Sequence, residues 1–244
     1  MEKNNYKDSK IILNKKIQED IYLIELDGDF QGEPGQFYML RAWNDSPLLP
    51  RPLSIYDLED GKISFLYKVV GKGTTILSEL KEGAYIKLLG PLGNSFPIEN
   101  VEKCAIVAGG IGLAPFMYLV KKLDANIDLY AGFYDKSYLM DEFAKHTNNV
   151  NITTITGIEG HKGLVTDIIE DKYDHIFACG PNPMMQSLQK RELSGKSYYS
   201  LESHMACGIG ACYGCAIETT KGIKRVCHEG PIFNGEEVIF YAEN

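Results

Sequence analysis
Four cysteines near the C-terminal end constrain this chain more than any other feature. Cys207, Cys212, Cys215 and Cys227 form the pattern C-x4-C-x2-C-x11-C, with Gly208, Gly210 and Gly214 between the first three. A loop folded around a metal–sulfur core turns its N–H groups toward the sulfurs, and the backbone angles this needs are open mainly to glycine. The four thiolates therefore predict a metal centre with Cys207, Cys212, Cys215 and Cys227 as its ligands.

Other uses of four cysteines fit less well. Zinc knuckles are usually two Cys-x2-Cys pairs, and only Cys212 and Cys215 make one. Disulfides belong to oxidising compartments, where nothing else in the sequence places the chain. C-x4-C-x2-C is the spacing of plant-type [2Fe–2S] proteins, which favours that cluster over [4Fe–4S], although four thiolates serve either. The x11 gap is far shorter than in plant ferredoxins, so the fold around the cluster should differ from theirs. His204 and His228 flank cysteines, but the paired Cys and His order of a Rieske centre is absent. Cys104 lies in an apolar run and reads as a packing residue.

The chain has 244 residues, enough for about two domains with real cores. A formal charge of −8 leaves no basic stripe to track phosphates, which excludes nucleic acid as a partner. The opening MEKNNYKDSKIILNKKIQED has neither the apolar core nor the cleavage site of a signal peptide. The longest uncharged run, Cys104 to Val120, is 17 residues and contains Gly109, Gly110, Gly112 and Pro115, so it reads as strand, turn and helix start, with no membrane span. A cytoplasmic location is the expectation.

From Lys10 to about Pro97, short apolar or alternating runs (IYLIEL, QFYMLRAW, ISFLYKVV, AYIKLLG) are punctuated by glycine and proline. This predicts an antiparallel barrel or sandwich over residues 1–98. Two stretches carry chemistry. In Arg51-Pro52-Leu53-Ser54, proline stiffens the backbone, arginine offers a fork to a phosphate and serine a hydroxyl to a ring heteroatom. After Tyr67-Lys68-Val69, the run Gly71-Lys72-Gly73-Thr74-Thr75 opens onto a helical ILSEL, and free N–H groups at such a start seat an anion; a plain loop with a threonine N-cap is the simpler reading.

From about Glu99 strands alternate with helices, which predicts a parallel doubly wound sheet over residues 99–195 with ligands at the carboxyl ends of its strands. Its first turn, Gly109-Gly110-Ile111-Gly112-Leu113-Ala114-Pro115, has proline where the dinucleotide fingerprint has a third glycine. A later turn is Cys179-Gly180-Pro181. Asp135, ending the run YAGFYD, is placed to meet a ribose 2′-hydroxyl and to repel a 2′-phosphate, which leans toward NAD. Residues 196–244 carry the cysteines and are too few for a large core of their own.

Taken together, these motifs resemble the ferredoxin reductase superfamily. The resemblance implies a multidomain chain: an antiparallel β-barrel FAD domain, an α/β parallel-sheet NAD-binding domain and a small [2Fe–2S] domain. It assigns Arg51 to the FAD pyrophosphate, Ser54 to the isoalloxazine, Tyr67 to Val69 to the flavin and ribityl edge, and Gly73 to Thr75 to the phosphates. Gly109, Gly110, Gly112 and Pro115 would receive the NAD pyrophosphate, and Cys179, Gly180 and Pro181 would lie beside nicotinamide.

The order barrel, nucleotide domain and cysteine loop, with ESHMACGIGACYGC and KRVCHEGPIF, is similar over essentially the whole chain to the electron-transfer subunits of the NAD-dependent dihydroorotate dehydrogenase family. That similarity implies a partner, an FMN-containing catalytic subunit in a heterotetramer of two plus two, and a role in pyrimidine (UMP) biosynthesis. Once three redox sites are placed, no stretch is left to oxidise an organic substrate, so no catalytic base is expected here. Subunits of ferredoxin:NADP or sulfhydrogenase-type complexes share the architecture, a free-standing reductase feeding an oxygenase is a further rival, and a zinc-stabilised binding module is the reading of another class.

Overall fold
The computed structural model describes residues 6–241; residues 1–5 and 242–244, at the ends of the first and third sequence segments, lie outside it. The first segment forms β1 (Lys7–Gln18), β2 (Ile21–Asp27), β3 (Phe37–Arg41), β4 (Arg51–Ser54), β5 (Asp57–Glu59), β6 (Lys62–Lys68) and β7 (Tyr85–Leu92), with α1 (Lys72–Glu79) between the last two. They make one antiparallel sheet in the order β4-β3-β7-β1-β2-β6-β5. The sheet curls until Tyr56, just past β4, donates its N–H to the Ser64 carbonyl in β6 at 2.9 Å.

Strand parity explains which residues fill this barrel. In β6, Ile63, Phe65 and Tyr67 point inward, while Leu66 faces the next domain. In β3 all of Phe37 to Leu40 are buried, because Tyr38 and Leu40 line the barrel while Phe37 and Met39 pack outward against the cysteine-bearing segment. Side chains this size each contribute about 2 kcal/mol when fully buried.

The second segment forms β8 (Lys103–Gly109), α2 (Phe116–Lys122), β9 (Asn126–Phe133), α3 (Met140–Phe143), β10 (Asn149–Thr154), β11 (His161–Lys162), α4 (Val165–Ile168), β12 (His175–Cys179) and α5 (Asn182–Lys190). The third contributes β13 (Ser197–Ser200), a hairpin of β14 (Ala216–Thr219) and β15 (Gly222–Arg225), and β16 (Ile232–Asn234). The second sheet runs β11-β10-β9-β8-β12-β13-β16 and is parallel except for β16. After Lys103, β8 is apolar because both its faces are covered.

This sheet extends past residue 196, where the sequence pattern placed a change of domain. β13 pairs parallel with β12, and β16 returns from beyond the cysteines to pair with β13. The turn read after β8 contains a 3-10 turn over Gly110–Leu113 that precedes α2, since Pro115 has no N–H to continue a ladder and caps the new helix. Helix α1 likewise begins earlier than the ILSEL run, with Gly71 as its N-cap.

The domains are pinned together by directed contacts. Tyr118 of α2 donates its N–H to the Tyr56 carbonyl at 2.8 Å and its hydroxyl to the Gly32 carbonyl at 3.1 Å. Lys121 pairs with Asp57 at 2.5 Å and Glu59 at 2.8 Å. No helix among the described residues is long and apolar enough to cross a membrane.

Candidate redox site
Strand order reverses between β8 and β12, and both carry glycine turns at their carboxyl ends. The turns touch: a Cβ on Gly109 would lie 2.7 Å from Pro181, and one on Gly112 would lie 2.2 Å from the Cys179 carbonyl oxygen. A cavity of about 530 Å³ opens over them, lined by Gly109, Gly110, Gly112, Gly180 and Pro181. Its outer wall holds the exposed side chains of Tyr134, Ile155 and Leu164. Thr153, fully buried at this wall, has a hydroxyl without a partner among the described residues. A glycine-floored cleft at a topological switch point with a spare buried hydroxyl fits a dinucleotide.

Three site residues named from the sequence stand beside this lining. Pro115 starts α2, Cys179 is 2 % exposed with burial pushing its thiol up, and Asp135 accepts a 2.9 Å hydrogen bond from Thr156 at the end of β9.

A second cavity, of about 260 Å³, lies between the barrel and this domain and is lined by Arg51, Pro52, Leu53, Ser54, Tyr67 and Lys68. Arg51 donates to the Leu49 carbonyl at 2.6 Å and sits 5.3 Å over the Trp43 ring. It also lies against the first turn of α1, where a Cβ on Gly73 would come within 2.6 Å of its Nε. A cation beside free helix N–H groups, with room made by a missing side chain, fits a flavin pyrophosphate.

Thr74 lines the same cavity, and its hydroxyl receives the N–H groups of Val70 and Gly71 at 3.0 and 3.2 Å. It is therefore the third helical residue bonding back to the cap. The Tyr67 ring turns into the barrel, where its hydroxyl donates to Asn14 at 3.3 Å, so Tyr67 offers the cavity its main chain. Val69 and Thr75 flank the cavity without lining it.

The two cavities meet at Lys68, Ile111 and Glu202. Glu202 was not among the site residues named from the sequence. Solvent reaches its side chain, but the surrounding protein withdraws enough water to raise its carboxyl above the ordinary range. Leu201 and Met205, on the segment leading to the cysteines, wall the smaller cavity.

That segment runs directly into the thiols. Gly210 donates its N–H to Cys227 Sγ at 3.2 Å, Gly214 to Cys212 Sγ at 3.4 Å, and the Cys227 N–H reaches Cys215 Sγ at 3.4 Å. Desolvation acts to raise the Cys207 thiol, but the N–H groups of Ile209, Cys212 and Ala211 outweigh it and bring it down to about 7. Burial pushes Cys227 up to about 12. Cys207 neighbours Cys212 and Cys215 neighbours Cys227; as placed, no three His, Cys, Asp or Glu side chains among the described residues close on one metal position. Inward N–H donors around four thiols fit an iron–sulfur core. Gly208 sits hard on the barrel, where a Cβ would meet Met39 at 2.8 Å.

Residues 202–239 match the family model described as the iron-sulfur cluster binding domain of dihydroorotate dehydrogenase B. The chain is 48% identical over 242 residues to the dihydroorotate dehydrogenase B (NAD(+)) electron transfer subunit of Clostridium acetobutylicum, covering 97% of this chain and 98% of that one. It is 40% identical to the subunit of the same name from Clostridium perfringens, over 96% of this chain and 98% of the other. Among solved structures, an NADH-dependent reduced ferredoxin-NADP oxidoreductase studied for flavin-based electron bifurcation superposes with a TM-score of 0.86 at 34% identity, covering 95% of this chain and 89% of that chain.

Proposed function
The chain belongs to the family of dihydroorotate dehydrogenase B (NAD(+)) electron transfer subunits, and on that premise we propose the route and residues by which it carries electrons between a catalytic partner and NAD. It is an oxidoreductase subunit using FAD, a [2Fe–2S] cluster and NAD. When bound, these groups supply single-electron exchange at the cluster, hydride exchange at the nicotinamide and both at the flavin. The observation that carries the reading is the meeting of the two cavities at Lys68, Ile111 and Glu202, with Leu201 and Met205 joining the smaller one to the cysteine loop.

The chain's own residues hold, orient and exclude water. Arg51 and the first turn of α1, Gly73 to Thr75, take the flavin diphosphate, while Pro52 and Leu53 fix the strand that aims the Ser54 hydroxyl at the ring. The main chain of Tyr67, Lys68 and Val69 borders the flavin edge. Gly109, Gly110 and Gly112, with Pro115 starting α2, receive the NAD diphosphate, and Cys179, Gly180 and Pro181 floor its nicotinamide end. Asp135, steadied by Thr156, meets the ribose 2′-hydroxyl. Cys207, Cys212, Cys215 and Cys227 hold the iron.

The partner is an FMN-containing subunit that oxidises dihydroorotate, in a cytoplasmic assembly of two plus two. A second reading, a subunit of a ferredoxin:NADP oxidoreductase, is favoured by the 0.86 TM-score with that enzyme. Gentle anaerobic purification from the native cells, with mass spectrometry of what stays bound, separates the two. A stoichiometric FMN-containing dihydroorotate dehydrogenase is the expected companion. A larger chain with several clusters would replace the first reading with the second.

A further inference from the structure
Gly210, between the first two cysteines, is gripped by residues around the fourth. Arg225 Nη1 donates to the Gly210 carbonyl at 2.6 Å, and the Gly210 N–H donates to Cys227 Sγ at 3.2 Å. The absent side chain of Gly210 makes room for the His228 ring, whose Cδ2 would lie 2.9 Å from a Cβ there. Gly210 thus presents its N–H to a cluster thiol while a guanidinium holds its carbonyl.

Arg225 is itself held on two sides. Its Nε donates to Glu229 Oε2 at 3.0 Å, its Nη2 bonds the other carboxylate oxygen, and its Cζ lies 4.9 Å over the ring of Tyr213. Tyr213 sits between Cys212 and Cys215 with φ of 57°. The carboxylate of Glu229 therefore offsets the guanidinium that holds the loop.

We propose that Arg225 is a positioning residue that sets the reduction potential of the cluster through Gly210, and that Glu229 is its counterweight. The inference rests on Cys207, Cys212, Cys215 and Cys227 being the cluster ligands. A cation bonded to the Gly210 carbonyl fixes the residue whose N–H meets Cys227 Sγ and brings positive charge close to that sulfur. Hydrogen bonds to sulfur and nearby positive charge favour the more negative, reduced cluster and raise its potential. Removing the cation and removing its counter-charge then act in opposite directions. A purely structural clamp has no such sign.

The test is a redox titration of the cluster, followed by low-temperature EPR, in the complete complex carrying Arg225→Ala, Arg225→Lys or Glu229→Gln. Arg225→Ala is expected to lower the potential by about a tenfold shift in the one-electron equilibrium, ~59 mV. Glu229→Gln is expected to raise it, and Arg225→Lys to fall between Arg225→Ala and the native protein. Should Arg225→Ala fail to retain the cluster, the other two variants decide the sign. Unchanged potentials, or shifts of one sign in Arg225→Lys and Glu229→Gln, would overturn the proposal. Iron and sulfide analysis of the native protein comes first: their absence would overturn the ligand assignment itself.

Discussion

Gly112 and the Cys179 carbonyl are so close that a single added methyl group would stand 2.2 Å from the oxygen. Backbone occupies both sides, so the turns after β8 and β12 would have to separate. Gly112→Ala is expected to destabilise the protein by about 1–3 kcal/mol, the usual range for overpacking. It should also weaken NADH binding while the flavin stays bound. Thermal unfolding and an NADH titration followed by flavin absorbance measure the two effects; an unchanged NADH affinity would separate this turn from the nucleotide site.

Arg51 and Gly73 are coupled in the same way across the smaller cavity. Arg51→Ala removes the cation facing the first turn of α1, and Gly73→Ala would push its Nε, 2.6 Å from the new Cβ, out of place. Both variants are expected to lose FAD on gel filtration with cluster iron retained. Full flavin occupancy in Arg51→Ala would remove the phosphate contact from the account.

Cys215 is 2 % exposed and receives the Cys227 N–H. In Cys215→Ser the cluster EPR signal should be lost while FAD fluorescence after release matches the native amount. An unaltered signal would show that iron is held elsewhere.

Asp128 makes a pH-dependent contribution to the second sheet. Its side chain is 4 % exposed, yet Tyr173 and Asn149 each donate to it at 2.7 Å and Lys172 lies 3.6 Å away. Burial opposes its charge, but these partners outweigh burial and hold the carboxyl below the usual range. A carboxylate lowered on folding stabilises the native state above its unfolded value, about 3.9, and that contribution fades as pH falls through the folded value. Asp128→Asn is therefore expected to cost about 2 kcal/mol at pH 7. The gap to the native protein should narrow below about pH 4. Denaturant unfolding at pH 7 and at pH 3 reads the difference, and a gap independent of pH would contradict the assignment.

What the sequence made legible follows the range of the forces involved. Cysteine spacing and glycine turns are local patterns, so the cysteine loop, the Gly112 turn and the Arg51 to Ser54 strand were legible from spacing. Glu202 could not, because it reaches the cavity junction only through the pairing of β13 with β12. The extension of the second sheet by β16 was hidden for the same reason: Phe233 meets Tyr199 across the whole cysteine loop. Tyr67 shows a third kind of miss. Its position beside the cavity was legible, whereas the strand parity that turns its ring into the barrel depends on β2 and β6 pairing Tyr22 with Tyr67. Thr74 was legible as a capping residue, but only the fold shows it bonding back from the third helical position to Gly71.

The central claim is that this chain relays electrons between a dihydroorotate-oxidising partner and NAD. The most direct measurement mixes the purified, cofactor-loaded chain anaerobically with the family's catalytic subunit and adds dihydroorotate, following flavin bleaching by absorbance and the cluster by EPR. Dihydroorotate is expected to reduce neither group in this chain alone and both when the partner is present, and NAD+ is then expected to reoxidise them with formation of NADH. Reduction by dihydroorotate without the partner, or a complex whose cluster stays oxidised while NADH forms, would contradict the claim.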